Sequence, residues 1–161
     1  MQKNYFLTIV FTAIMILSGC NCKEDPQPVA KTDTELLLHN GVAWIEIAAT
    51  LDPPLPTGGT LITDYYAQYT ACEKDDTFLY YATNGSATNG SYTLNNPVKC
   101  FDYELLAYSG TWTLNGKDLV RQSNGKSTSL TILNLTATEL KTKRVVPFPN
   151  GINYTVTQTF K

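Results

Sequence analysis

Asn-Gly dipeptides set between short runs of alternating polarity constrain this chain more than any other feature. Five of them stand at Asn84-Gly85, Asn89-Gly90, Asn115-Gly116, Asn124-Gly125 and Asn150-Gly151. The pair is the preferred centre of a two-residue type I′ hairpin, because both central positions need positive φ. The runs between them have the period of a half-buried strand. Ile152, Tyr154, Val156, Gln158 and Phe160 share one face while Asn153, Thr155, Thr157 and Thr159 share the other. Tyr108, Gly110, Trp112 and Leu114 repeat the phase, which points Trp112 inward. A composition rich in tyrosine, threonine and glycine, with only 16% charged residues, favours strands as well.

Read this way, the strands are Val42 to Leu51, Thr77 to Thr83, Gly90 to Leu94, Tyr108 to Leu114, Asp118 to Gln122, Ser127 to Asn134, Glu139 to Val146 and Ile152 to Phe160. A meander of eight strands closes most economically into an up-and-down antiparallel barrel, which leaves no exposed edge. The expected fold class is all-β. Asp52 to Asp76 interrupts the series with Pro53, Pro54, Pro56 and Gly58-Gly59, and reads as a long irregular loop that covers a barrel mouth or carries a binding surface. Thr32 to His39 has room for a short helix capped by Thr32 or Asp33.

Ahead of the domain, Lys3 and the apolar run Tyr5 to Leu17 make a signal peptide too short to span a bilayer, ending in the lipobox Leu17-Ser18-Gly19-Cys20. The expected organisation is a signal peptide over 1–19, a lipidated flexible tether over 20–32 and one barrel domain over 33–161. Acyl chains such as palmitate on Cys20 supply the anchor, and the expected location is the cell outer membrane. Lys23-Glu24-Asp25 leaves its face open between a surface-export signal and an ordinary solvated linker. From Cys20 onward 11 lysines and arginines stand against 14 acids, a net charge of −3. That bias is too weak to imply nucleic acid or an anionic lipid surface, and a monomer is expected.

The chain resembles the lipocalin-like domains of bacterial lipoproteins over most of its mature length. The resemblance rests on Leu36-Leu37-Leu38 leading into Gly41 and Trp44, the Asp52-Pro53-Pro54 exit, Ala71-Cys72-Glu73-Lys74-Asp75-Asp76, Ser109-Gly110-Thr111-Trp112-Thr113-Leu114, and the closing Tyr154-Thr155-Val156-Thr157-Gln158-Thr159-Phe160. Two residues separate Gly41 from Trp44, where lipocalins usually have one. The resemblance implies an eight-stranded barrel with a cup-shaped interior for a small apolar ligand, and lends fold more strongly than function.

Four cysteines divide by position. Cys20 is the lipid site, Cys22 lies in the tether, and Cys72 and Cys100 remain as a pair in an oxidising compartment, where a disulfide is expected. The alternative is two free thiols. No metal or cofactor site is expected, since His39 is the only histidine and no Cys-x-x-Cys occurs. A Ser-His-Asp arrangement could use only His39, and no Gly-x-Ser-x-Gly elbow occurs, so no catalytic residue is assigned and the chain is not read as an enzyme. Glu73, Asp75 and Asp76 read as a solvated turn ahead of Thr77 rather than a cation loop or a glycosidase pair.

Aromatic side chains are the better binding candidates. Trp44, Tyr80, Tyr92, Trp112, Tyr154 and Phe160 fall on strands, where they either fill the barrel or line a ligand pocket. Tyr65, Tyr66 and Tyr69 fall in the long loop, as a recognition surface or as a lid on the mouth. Arg121 and Arg144 are the only arginines, one of which closes the barrel base against Trp44 unless both are outward charges. The reading is a membrane-anchored barrel binding a small apolar or amphipathic ligand; the alternative is a non-catalytic interaction module using 53–69 against protein or glycan. A connected apolar cavity of about 300 Å³ or more separates the two.

Overall fold

A computed structural model describes residues 29–161. The lipidation site Cys20, Cys22 and the signal peptide lie outside the described residues. Among the described residues nine strands follow one another: β1 (Trp44–Thr57), β2 (Thr60–Asp64), β3 (Thr77–Ala82), β4 (Asn89–Asn95), β5 (Ala107–Asn115), β6 (Asp118–Ser123), β7 (Lys126–Leu135), β8 (Leu140–Pro147) and β9 (Asn153–Phe160). Consecutive strands from β3 to β9 pair antiparallel, and β1 joins both β3 and β9, so eight strands close a barrel while β2 pairs with β1 alone. Seven of the expected strands occur within one residue at each end.

The first strand does not stop at Leu51. The stretch expected as irregular loop instead extends β1 to Thr57 and returns as β2, with Leu55 opposite Ile62 and Thr57 opposite Thr60. Gly58 and Gly59, at φ +56 and +86, supply the two left-handed positions that the reversal needs. Pro53, Pro54 and Pro56 are tolerated because this hairpin lies outside the closed barrel, where a strand can forgo N–H donors on one side. A single 3₁₀ turn (Tyr66–Gln68) and helix α2 (Ala71–Lys74) complete the return to β3.

The Asn-Gly expectation needs correction at several positions. Asn124-Gly125 forms the two-residue hairpin, both at positive φ, with Ser123 opposite Lys126. Asn84 and Gly85 also have positive φ but close a longer loop, and the turn after β5 is centred one residue late, with Asn115 opposite Asp118. Asn150 lies in a wider loop where Gly151 alone is left-handed. Asn89-Gly90 is no turn, for both residues open β4.

One end of the barrel is closed by helix α1 (Asp33–Leu37). Thr32 caps it in a capping box with Glu35, an arrangement worth about 1 kcal/mol. Leu37 is fully buried over the barrel floor, and its carbonyl accepts from Trp44 Nε1 at 2.8 Å. The Thr34 hydroxyl donates to the Ala87 carbonyl, and Lys117 pairs with Asp33 at 3.2 Å, so the helix is tied to two turns of that end. Above it the main core runs through Trp44, Tyr80, Trp112, Leu114, Leu119, Leu130, Ile132, Leu140 and Phe160. A second cluster of Leu51, Tyr154 and Val156, with Tyr65 and Phe148 packed on it, lies toward the other end.

Candidate functional site

Strand alternation brings a mixed set of side chains to the inner wall. On β3 and β4, Phe78 and Tyr80 stand opposite Leu94 and Tyr92; on β5, Gly110 and Tyr108 continue the layer. A Cβ on Gly110 would fall 2.1 Å from the Gln122 carbonyl and 2.7 Å from the Tyr92 ring, so the absent side chain lets that ring lie flat across β5. The same phase turns Arg121 of β6 and Arg144 of β8 into the barrel. Arg121 lies over Phe78, 4.4 Å from its centroid, and 5.8 Å from Tyr92, a cation–π arrangement that holds the guanidinium by its face.

These residues bound an open chamber of about 420 Å³ at the end away from α1, walled by Phe78, Tyr92, Leu94 and Tyr108 and charged by Arg121 and Arg144. It is larger than the about 300 Å³ that a ligand site needs, yet it is amphipathic rather than a connected apolar cavity. Beneath and beside it, Gln158 donates to Glu46 at 2.8 Å, both side chains being buried. Glu46 Oε1, Gln158 Oε1, Thr142 Oγ1 and Arg144 Nε are buried without a protein partner. Burial pushes the Glu46 carboxyl above its usual range, against the opposing pull of Gln158 and both arginines. Burial and the like charge of Arg121 together pull Arg144 down.

A second opening reaches the same layer through the wall. β7 pairs with β8 only over Thr131 to Leu135; Ser127 to Leu130 pair with β6 alone, and Arg144 to Pro147 with β9 alone. A bulge between Ile132 and Asn134 interrupts the paired stretch just before the divergence, and Pro147 ends β8 without an N–H donor. The resulting cleft of about 710 Å³ shares Thr128 and Arg144 with the inner chamber.

A family model described as a lipocalin-like domain matches residues 52–142. The chain belongs to this lipocalin-like family. No curated protein matches it. Solved structures similar to this lipocalin-like chain include bovine odorant binding protein with a selenium-containing odorant, at 11% identity and TM-score 0.47 over 84% of this chain and 75% of that one. The complex of the bovine protein with undecanal gives 12% identity and TM-score 0.47 over 81% and 73%, and a deswapped triple mutant gives 13% and 0.44 over 76% and 72%.

Within the lipocalin-like barrel, the six candidate aromatics are not gathered in one place. Tyr92 lines the chamber. Tyr80 and Phe160 lie behind that layer, Phe160 edge-on to Phe78 at 5.8 Å, and burial raises the Tyr80 phenol's pKa while Arg121 opposes it. Trp112 sits nearer the floor, edge-on to Tyr80 at 6.3 Å. Trp44 belongs to the closed end, and Tyr154 to the second cluster, where Asn150 donates to its hydroxyl at 2.9 Å. Neither arginine stacks on Trp44. His39 takes that place, its ring 3.9 Å from the indole and nearly parallel. The chamber residues that sequence reasoning did not single out are Phe78, Leu94 and Tyr108, with Glu46 and Gln158 beside them, although each shares a strand phase with a residue that it did.

Tyr65, Tyr66 and Tyr69 are half-buried; Tyr65 and Tyr66 each pack edge-on to Tyr69, and Tyr65 also against Phe148 at 6.3 Å. They form the lid of the two readings. Burial and then the charge of Glu46 raise the Tyr69 phenol well above its usual value, which places the lid beside the polar interior. Cys72 of α2 and Cys100 of the β4–β5 loop are joined in a disulfide, with Cα atoms 5.4 Å apart.

Glu73 is spent on capping α2, accepting from the Thr70 backbone at 2.7 Å and its hydroxyl at 2.8 Å. Among the described residues no group of three such side chains is arranged to hold a metal ion. Burial, then Asp75, Glu104 and Glu73, raise Asp76 from its ordinary 3.8 to about 6. A carboxyl raised in the folded state contributes stability below its unfolded value and loses it as pH rises through the folded one. Asp76→Asn is therefore expected to raise the melting temperature at pH 7 and leave it unchanged at pH 3.5. Equal shifts at both pH values in a thermal melt would show that Asp76 is not the group responsible.

Proposed function

We propose that this lipocalin-like chain is a membrane-anchored, non-catalytic lipoprotein of the cell envelope, held by acylated Cys20 and a tether over 20–32, that binds a small apolar or amphipathic ligand as a monomer. The observation that carries the ligand reading is the open chamber of about 420 Å³, in which an aromatic wall meets two inward guanidiniums. A barrel evolved only to be solid has no use for charge at that depth. The lipobox carries the anchor reading, since cysteine directly follows Ser18-Gly19 behind an apolar run. Tyr65, Tyr66 and Tyr69 lean on the barrel, which places second the reading of 53–69 as a docking surface for protein or glycan.

Native mass spectrometry of the full chain, isolated from membranes of the cells that make it, tests both halves. The expected species begins at Cys20, carries two or three acyl chains and retains a non-covalent small molecule. A mature chain with an unmodified Cys20 removes the anchor, and a barrel that never retains a ligand under gentle release removes the binding function.

A further inference from the structure

Arg121 and Arg144 leave the interior of the barrel electrically incomplete. Both point into the chamber, yet among the described residues the ion pair formed is Lys117 with Asp33, on the closed end. Among the described residues no carboxylate lies within ion-pairing distance of either guanidinium. Glu46, the acid closest to them in the interior, is engaged by Gln158 at 2.8 Å. Arg144 Nε is buried with no acceptor, while Arg121 is held against the Phe78 and Tyr92 rings with the Tyr80 hydroxyl as a polar neighbour. Lys126 adds a third cation at the rim. The two half-buried like charges repel, and Arg144 keeps a buried donor without an acceptor; a bound anion answers both costs.

We propose that the chamber is an anion site: it takes a single-chain amphiphile whose anionic oxygen headgroup, a carboxylate or a phosphate, is held between Arg121 and Arg144 while its chain lies along Phe78, Leu94 and Tyr108. The proposal rests on the chamber being the ligand site and names the ligand's chemistry. The planar fork of a guanidinium matches both headgroups in bidentate fashion, and the stacked Arg121 is preorganised for it. The β7–β8 cleft meets the chamber at Arg144, so a chain longer than the chamber has a way out past Val146 and Pro147.

The test is isothermal titration of the full chain in nanodiscs, blanked against empty discs, with octanoate, octyl phosphate, octanol and octylamine as probes. Octanoate or octyl phosphate is expected to bind at least tenfold more tightly than octanol, with octylamine weakest; the order of the two anions identifies the headgroup. In Arg121→Gln and Arg144→Gln the anion preference over octanol is expected to fall to within about threefold. The ligand-free melting temperature of Arg144→Gln is expected to stay level or rise, because a half-buried charge with an unpartnered donor has gone. Octanol binding as tightly as octanoate overturns the anion site while leaving a ligand-binding barrel in place. No binding of any probe overturns both readings, and a retained preference in both variants overturns the assignment to these arginines.

Discussion

Trp112→Ala is expected to lower the unfolding free energy by about 3 to 5 kcal/mol, the range for removing a large buried aromatic whose site cannot collapse. The indole is 1% exposed and meets Tyr80 edge-on. Its Nε1 lies 3.1 Å from the Tyr81 carbonyl and 3.0 Å from that of Ser91, across β3 and β4. Facing it, Gly90 leaves room that nothing else can take: a Cβ there would lie 1.8 Å from the Tyr81 carbonyl and 2.8 Å from the indole nitrogen. The cavity is thus walled by strand backbone, which cannot move in to fill it. Against a total of about 5 to 15 kcal/mol for a domain, the loss is a large part of the whole. Equilibrium urea unfolding measures it. A loss below about 1 kcal/mol would mean that the neighbouring strands do relax into the gap. Because the ring lies on the floor side of the chamber, its emission is expected to stay blue-shifted and unchanged when an amphiphile binds.

That pairing of Gly90 with Trp112 shows where sequence reading succeeds and where it stops. Trp112 points inward as its alternation with Tyr108 and Leu114 requires. Gly90 carries the same Asn-Gly signature as Gly125, but one glycine serves a left-handed turn and the other a close approach between strands. A dipeptide cannot distinguish these uses, since each is a demand of a different neighbour. β1 is a similar case. Its prolines break the expectation of a strand only if the strand must donate on both sides, and beyond Leu51 most of it pairs outside the barrel with β2.

The charged interior was less legible for a more general reason. Alternation assigns a residue to a face, and the nature of the other residues on that face decides which one is inside. On β8, Thr142, Arg144 and Val146 share one phase while Lys143 and Val145 share the other, so the two faces have almost no contrast. Arg144 is placed inward by its register opposite Val156, which no local pattern reveals. Gln158 was legible, because Tyr154, Val156 and Phe160 fix its face; its partner Glu46 lies on another strand. Residues that break the polarity rule are those at which a site is expected, and they are also the ones that the rule discards.

Removing the disulfide with Cys72→Ser and Cys100→Ser is expected to cost about 3 to 4 kcal/mol, the loop-closure entropy restored to the unfolded chain by releasing cysteines 28 positions apart. The bridge has a second effect, local to the folded state. It ties α2, just after the tyrosine lid, to the β4–β5 loop, and that loop otherwise exposes Val98, Phe101, Tyr103, Leu105 and Leu106. Glu104 holds the loop from within by accepting from the backbone of Cys100 at 2.8 Å and of Phe101 at 3.2 Å, while Thr70 places its hydroxyl 3.0 Å from the Cys72 sulfur. With the bridge gone, those hydrogen bonds hold each segment to itself and no longer to the other. Urea unfolding of the double variant is expected to show the full stability loss, and hydrogen exchange to show faster opening at 66–76 and 96–106 than in the strands. An unchanged unfolding midpoint, together with unchanged exchange in both segments, would mean that lid and loop are held by packing alone.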